Sequence, residues 1–419
     1  MIAPNQINQT VRQTTMIQAS PAPLHAVPSN TSMDPIRLQH ITRAVQADID
    51  AKRIPGAVIL IAHHDRVVYE AALGMQDPGA GVPMSMDTIF RIYSMTKPIV
   101  SVAVMMLVEE GRLLISDAVS KYLPELGRPE VGMEGTDRDG RRVLETVNAQ
   151  REMTVHDLLR HTSGLTYGIF GASLVKSAYT QAGVERKDVT NAEMVRRLAT
   201  VPLAYQPGTV WEYSRSTDVL GALIERISGM ELDAFLQQRI LGPLGMKDSG
   251  FWVPEAQQHR LAEAFATDPD SGAAIRLINV RSKPDFLSGG GGMVSTARDY
   301  LRFARMLARH GTLDGVRILS RKTVQYMTSD HLGDLPGARS TPDFLPGPGY
   351  GFGLGFAVRI AEGNAIVPGS LGDYNWSGLA GTYFWIDPAE DLVAIWLMQA
   401  PEQRAHYRQL FRNLVYAAL

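Results

Sequence analysis

Ser94-Met95-Thr96-Lys97 sets a hydroxyl and an amine three residues apart. A strand-like run, Thr88-Ile89-Phe90-Arg91-Ile92-Tyr93, leads into it, and an apolar helical run from Pro98 to Val108 leads out. This pattern predicts a serine at the start of a helix, where unpaired N–H groups and the helix dipole favour a developing negative charge. Residues i and i+3 share a helix face, so Lys97 is expected beside the Ser94 hydroxyl. An activated serine nucleophile needs this arrangement when no histidine base serves it. An amine works as a base at neutral pH only where its charged form is disfavoured. Burial under the apolar helix and the positive end of its dipole both act in that direction. No Gly-x-Ser-x-Gly elbow occurs in the chain, which argues against an α/β-hydrolase triad.

Other candidate residues read differently. Ser173-Leu174-Val175-Lys176 repeats the spacing in a polar stretch between Gly171 and Gly183, and is expected to be a surface coincidence. His63-His64 lies between two strand-like runs with no third ligand nearby, so a solvated turn is expected rather than a metal site. His161 is expected as a polar residue near a helix C-terminus. The run Gly289 to Gly292 lacks the Lys-Ser or Lys-Thr of a phosphate loop and reads as a flexible or closely approached backbone segment before a helix capped at Ser295 or Thr296. In Pro207-Gly208-Thr209-Val210-Trp211-Glu212-Tyr213-Ser214-Arg215, Tyr213 falls on a loop just ahead of a helix, where a phenol hydroxyl projects.

The chain has 419 residues, 45% of them hydrophobic and 20% charged, with a formal net charge of −2, as in ordinary globular proteins. That balance gives no reason to expect a nucleic-acid or membrane partner. The absence of cysteine excludes disulfides, thiolate metal sites and cysteine nucleophiles. Residues 1–33, rich in Asn, Gln, Thr, Pro and Ser, lack the apolar core of a secretory signal and are expected to form a disordered or loosely docked arm. A cytoplasmic location is the default expectation, and no cofactor or metal is implied.

Asp34-Pro35 reads as a helix cap, with Ile36, Ile41, Val45 and Ile49 following at helical spacing. A hairpin is predicted at Ala57–Ala62 and Val67–Leu73. Thr154 and Asp157 predict a capping box, and helices are expected at Asp218–Ile227 and Leu232–Ile240. Gly333–Pro348 reads as a loop. Strands are expected at Gly351–Ile360, Gly381–Ile386 and Leu392–Gln399, then a helix over Glu402–Ala418. Strands at both chain ends with helices between predict an α/β (α+β) fold: a central antiparallel sheet built from both ends and flanked by helices, plus a mostly helical inserted subdomain. The expected division is 34–115 with 285–419 for the sheet part and 116–284 for the helical part, with the active site between them.

Together the segments resemble the serine β-lactamase and penicillin-binding superfamily, nearest to class C β-lactamases and the related family VIII carboxylesterases. The resemblance runs over roughly residues 40–400. It rests on Ser94-x-x-Lys97, Leu158-Leu159-Arg160-His161-Thr162-Ser163-Gly164-Leu165, Pro207-Gly208 through Tyr213-Ser214, Leu241-Gly242-Pro243-Leu244-Gly245-Met246, and Gly289–Thr296. It implies Ser94 as nucleophile, Lys97 as neighbouring base and Tyr213 as catalytic tyrosine. It also puts Trp376-Ser377-Gly378 in place of the Lys-Thr-Gly motif on a strand bordering the site, with an oxyanion hole from the N–H groups of Ser94 and Leu379. Arg215 stands where β-lactamases carry an asparagine that contacts substrate, and Trp376 where they carry a lysine that faces the substrate carboxylate.

Losing that lysine removes a charge-assisted contact of about 1.5–3 kcal/mol, while tryptophan offers an apolar face. Both changes favour a neutral acyl ester. The expected function is a serine carboxylesterase for small or medium acyl esters, with possible weak β-lactam hydrolysis. The competing readings are a β-lactamase or D-amino-acid peptidase, an acyltransferase, and a non-catalytic acyl-binding receptor. Ser94→Ala is expected to abolish turnover of a short-chain aryl ester while Ser173→Ala leaves it nearly unchanged. Measuring kcat/KM for both variants separates the two motifs.

Overall fold

The computed structural model describes residues 33–335, 339 and 344–419. The expected N-terminal arm therefore lies outside the described residues except for Met33, as does part of the loop Gly333–Pro348. Helix α1 (Pro35–Asp50) starts as its sequence requires, with Asp34 Oδ1 accepting the Ile36 N–H at 2.8 Å. Strands β1 (Gly56–His63) and β2 (Arg66–Asp77) form the expected hairpin. His64 and Asp65, both at positive φ (46° and 61°), make its two-residue turn. The short β3 (Val82–Pro83) follows.

The C-terminal part supplies β4 (Tyr350–Phe352), β5 (Ala357–Arg359), β6 (Tyr374–Ser377), β7 (Tyr383–Asp387) and β8 (Leu392–Met398). The strands form one sheet in the order β4-β5-β6-β7-β8-β1-β2-β3, with every neighbouring pair antiparallel. Its middle joins the two ends of the chain: Ala57 opposes Met398 and His63 opposes Leu392.

Every residue of β1 is buried, because both faces of the sheet are covered. Ala57, Ile59 and Ile61 pack with α1 residues Leu38, Ile41 and Val45 and with Tyr407, Phe411 and Val415 of the C-terminal helix. Val58, Leu60 and Ala62 face the larger core on the other side. That core is built around α2 (Thr96–Glu109), in which every residue from Thr96 to Leu107 is buried. A helix apolar all round belongs in a protein interior, and this one fixes the end that carries Ser94 and Lys97.

Four expectations are corrected in detail. The strand-like run Thr88–Tyr93 forms a ladder at Phe90–Arg91, with Val294–Ser295, and a single bridge from Ile89 to Leu261, because Ile92 and Tyr93 turn into the segment that carries Ser94. The helical middle contains α3 (Val155–Leu159), α4 (Leu174–Gln181) and α5 (Ser216–Ser228), but also a ribbon pairing Glu130–Thr136 with Arg142–Asn148. The ribbon is largely exposed, so no alternation of apolar residues announces it. Leu232–Leu236 is α-helical, but the chain widens to a π turn over Gln237–Leu241. The run Gly351–Ile360 splits into β4 and β5 around Gly355, whose φ is +96°. The capping box at Thr154 and Asp157 and the Thr296 cap of α6 (Ala297–Ala308) form as expected.

A buried ionic cluster ties the sheet edge to α7 (Arg404–Tyr416). The Asp373 carboxylate accepts from Arg359 Nε at 2.6 Å and from Arg412 Nη1 and Nη2 at 2.9 Å each. Arg412 Nε donates to Tyr383 Oη at 2.7 Å, and Arg359 Nη2 to Tyr350 Oη at 2.8 Å. All three charged side chains are nearly inaccessible. Removing one member strands the others in a dry interior. Asp373→Ala is expected to lower stability by about 3–5 kcal/mol, read as the shift in urea or guanidinium unfolding.

Candidate active site

Four distant stretches of chain, around Tyr167, Tyr213, Gly290 and Trp376, meet at the N-terminal end of α2. Ser94 lies in a single 3₁₀ turn, Tyr93–Met95, directly before the helix, so it sits one turn earlier than the sequence pattern places it. Tyr93 has φ +44°, a costly conformation for a bulky residue. The surroundings hold it there: Tyr93 Oη accepts the Ile278 N–H at 3.0 Å, and the Ile92 N–H donates to Met293 O at 3.0 Å.

Lys97, in the first turn of α2, is 1% exposed. Its Nζ donates to Gly290 O at 2.6 Å, to Tyr167 Oη at 3.1 Å and to Ser94 Oγ at 3.4 Å. The same nitrogen lies 4.4 Å from the centre of the Tyr213 ring. Tyr213 is half-buried against Trp376, with ring centres 5.5 Å apart. The structure thus brings Ser94, Lys97, Tyr213 and Trp376 together. It adds Tyr167 and the Gly290 carbonyl, neither of which sequence reasoning found. Tyr167 follows the Leu158–Leu165 motif by two residues, and no spacing rule marks it out. Burial, with Asp218 and Tyr213 nearby, pushes its phenol well above the usual range, so it stays protonated.

These groups open on a cleft of about 640 Å³, within the ~300–1,000 Å³ typical of small-molecule sites. Ser94, Tyr213, Trp376, Ser377, Gly378 and Leu379 all line it. Apolar side chains exposed at its walls include Ile169, Phe170, Leu345 and Ile366. Gly378 explains how β6 comes so close to the Ser94 turn: a Cβ there would stand 2.5 Å from Ile92 O and 2.2 Å from Thr382 Oγ1. The Gly378 N–H is taken by Thr382 O at 2.7 Å, whereas no described group accepts the Leu379 N–H. Arg408 Nη2 donates to Gly378 O at 3.2 Å, the carbonyl end of the same Leu379 peptide.

Arg215 corrects an expectation. Its side chain is buried and does not line the cleft. The guanidinium pairs with Glu185 and, at 3.2 Å, with Asp218, and stacks 5.1 Å from the centre of the Tyr167 ring. Two carboxylates behind the site draw it away from any substrate. Ser173 is the N-cap of α4, accepting the Lys176 N–H at 3.0 Å. Lys176, expected at the surface, instead lines the cleft, 3.3 Å from Glu212.

His161 is buried with Nδ1 3.2 Å from Ser214 Oγ, and its ring packs 5.2 Å from that of Tyr213. It supports the tyrosine from behind, and its carbonyl accepts the Glu212 N–H at 2.9 Å. Among the described residues no cluster of His, Asp or Glu could hold a metal, and no helix is long and apolar enough to cross a membrane.

A helix-flanked antiparallel sheet with a buried lysine beside a cleft serine defines a serine hydrolase. Residues 41–417 match the Beta-lactamase family model, and the chain belongs to that family. It is 32% identical to esterase EstB of Burkholderia gladioli over 87% of this chain and 93% of that one. With lovastatin esterase of Penicillium rubens it shares 30% identity over 88% and 96% of the two chains. Among solved structures, EstCE1, described as a hydrolase with promiscuous acyltransferase activity, superposes with a TM-score of 0.73. That match has 28% identity and covers 91% of this chain and 98% of that one.

Burial disfavours the charged form of two histidines in and just after α3. Burial depresses His161 well below its ordinary value. Burial, helped by Arg160, pushes His156 down to about 4, where its Nε2 lies 2.9 Å from His331 Nδ1. In the unfolded chain these imidazoles take up protons near pH 6.5. Below that pH the unfolded state binds more protons than the folded one, so stability falls as pH drops from about 6.5 towards 4. Thermal midpoints across that window are expected to decline, and His156→Gln is expected to flatten the slope.

Proposed function

We propose that this protein is a serine carboxylesterase that hydrolyses small to medium acyl esters through an acyl-enzyme on Ser94. The observation that carries this reading is the gathering of Ser94, Lys97 and Tyr213 around one cleft, with the apolar face of Trp376 beside them instead of a lysine. The esterase relatives support the same reading.

In the proposed mechanism Ser94 Oγ attacks the ester carbonyl while its proton passes to Lys97 or Tyr213. The carbonyl π electrons move onto oxygen, and the N–H groups of Ser94 and Leu379 receive the oxyanion. Each such donor contributes on the order of 10²–10³ in rate. Collapse of the tetrahedral intermediate breaks the bond to the alcohol oxygen, and the Tyr213 hydroxyl protonates the leaving alkoxide. Water then attacks the acyl-Ser94 carbonyl, giving up a proton to the same groups; the bond from the acyl carbon to Ser94 Oγ breaks, Oγ takes that proton back, and the free acid departs. Trp376, Ser377 and Gly378 form the wall against which the substrate lies. The cations that line the cleft are already engaged: Arg412 with Asp373, Lys176 with Glu212, Arg408 with Gly378 O, and Arg404 with Pro401 O and Glu402.

A panel of p-nitrophenyl esters of increasing acyl length, with mass spectrometry of the trapped intermediate, tests the reading. The expected result is a burst followed by steady hydrolysis, and an acyl group mapped to Ser94. Lys97→Ala and Tyr213→Phe are expected to lower kcat by at least ~10² with folding intact. Efficient β-lactam hydrolysis without esterase activity would overturn the reading in favour of a lactamase or peptidase. Exclusive transfer to added alcohols would favour an acyltransferase, and a stable adduct without turnover a receptor.

A further inference from the structure

Asp218 has no role in the mechanism above, yet it is a fully buried carboxylate directly behind the Lys97 amine. It lies on α5, five residues beyond Tyr213. One of its oxygens, Oδ1, accepts the Ser288 hydroxyl at 2.6 Å and the Gly290 N–H at 2.9 Å. The other, Oδ2, takes Arg215 Nη1 at 3.2 Å. Gly290 is the residue whose carbonyl accepts from Lys97 Nζ at 2.6 Å. The carboxylate therefore grips one end of a residue whose other end holds the amine. The glycine run makes this approach possible: a Cβ on Gly290 would stand 2.8 Å from Asp218 Oδ2, and one on Gly289 would stand 2.5 Å from Thr217 O.

We propose that Asp218 is the positioning residue for the Lys97 amine, fixing the Gly290 carbonyl that holds it and setting a negative charge behind it. This inference rests on the esterase reading of Ser94, Lys97 and Tyr213. The charged and titratable groups around the amine come from several elements. They are His161 and Tyr167 after α3, Lys187 from the loop before residue 190, Tyr213 and Arg215 just ahead of α5, Asp218 on it, and Arg408 of α7, which faces Tyr213. Of these, Asp218 alone is a carboxylate, with Glu185 one step further back behind Arg215. Burial by itself would raise the Asp218 carboxyl. Arg215, Lys97, the Ser288 hydroxyl and Lys187 outweigh that and hold it below the usual value, so it is ionised.

The sign of the effect is the same whichever group takes the serine proton. Negative charge beside Lys97 favours the ammonium, and beside Tyr213 it disfavours the phenolate. Asp218→Asn keeps an acceptor for Ser288 and Gly290 but removes the charge. It is expected to move the acidic limb of the kcat/KM–pH profile for a p-nitrophenyl ester to lower pH by about 1 unit, the low end for a neighbouring charge. Asp218→Ala, which also frees the Gly290 peptide, is expected to lower kcat a further tenfold with KM little changed.

Glu185→Gln leaves Arg215 leaning on Asp218 alone. It is expected to move the limb in the same direction by less, and decides the matter if the Asp218 variants do not fold. A limb that stays in place, or moves to higher pH, in folded Asp218→Asn overturns the inference. So does a drop in kcat without any shift of the limb, which marks a purely structural role. Phosphonate labelling of Ser94 and ester turnover in the unaltered protein separate the two hypotheses. If both are absent the esterase reading itself fails, and if both are present only the Asp218 inference is at stake.

Discussion

A primary amine buried without water must find acceptors for its protons inside the protein, and the Lys97 amine finds three. Gly290 O, Tyr167 Oη and Ser94 Oγ come from three separate regions of the chain and converge on one nitrogen. Each acceptor is held from behind. The Gly290 peptide is anchored on Asp218, the Tyr167 ring lies under the Arg215 guanidinium, and Ser94 is set by the strained turn at Tyr93. The geometry of the cleft follows from satisfying that one nitrogen.

The sheet contributes the other wall. Strand β6 delivers Trp376 to Leu379 against the Ser94 turn, and only a glycine at 378 tolerates the contact with the Ile92 carbonyl. Arg408 from α7 donates to the Gly378 carbonyl, so the C-terminal helix holds the peptide that joins Gly378 to Leu379. Asp373, Arg359 and Arg412 lock that helix to the sheet edge. A rigid platform of this kind suits chemistry that depends on fixed hydrogen-bond donors.

The sequence was most legible where local chemistry and spacing coincide. The Ser94–Lys97 pair, the Asp34 and Thr154 caps, the β1–β2 hairpin and the glycine run all announce themselves through short-range rules. The features it concealed depend on tertiary neighbours. Tyr167 and Asp218 matter because of what packs against them, and no periodicity records that. Arg215 illustrates the opposite failure: the resemblance put it where β-lactamases carry a substrate-contacting asparagine, but two buried carboxylates claim the guanidinium. The ribbon from Glu130 to Asn148 went unseen because exposed strands carry no apolar alternation.

The pairing of β1 with β8 joins Ala57 to Met398 and so closes a loop of more than three hundred residues. Contacts so distant along the chain form late, after a large entropy loss, and slow the search for the native state. During synthesis the sheet cannot close until the last strand has left the ribosome. The Trp376–Leu379 wall of the cleft is made late as well. A polypeptide extended only as far as residue 370 therefore holds Ser94 and Lys97 without the wall that faces them across the cleft.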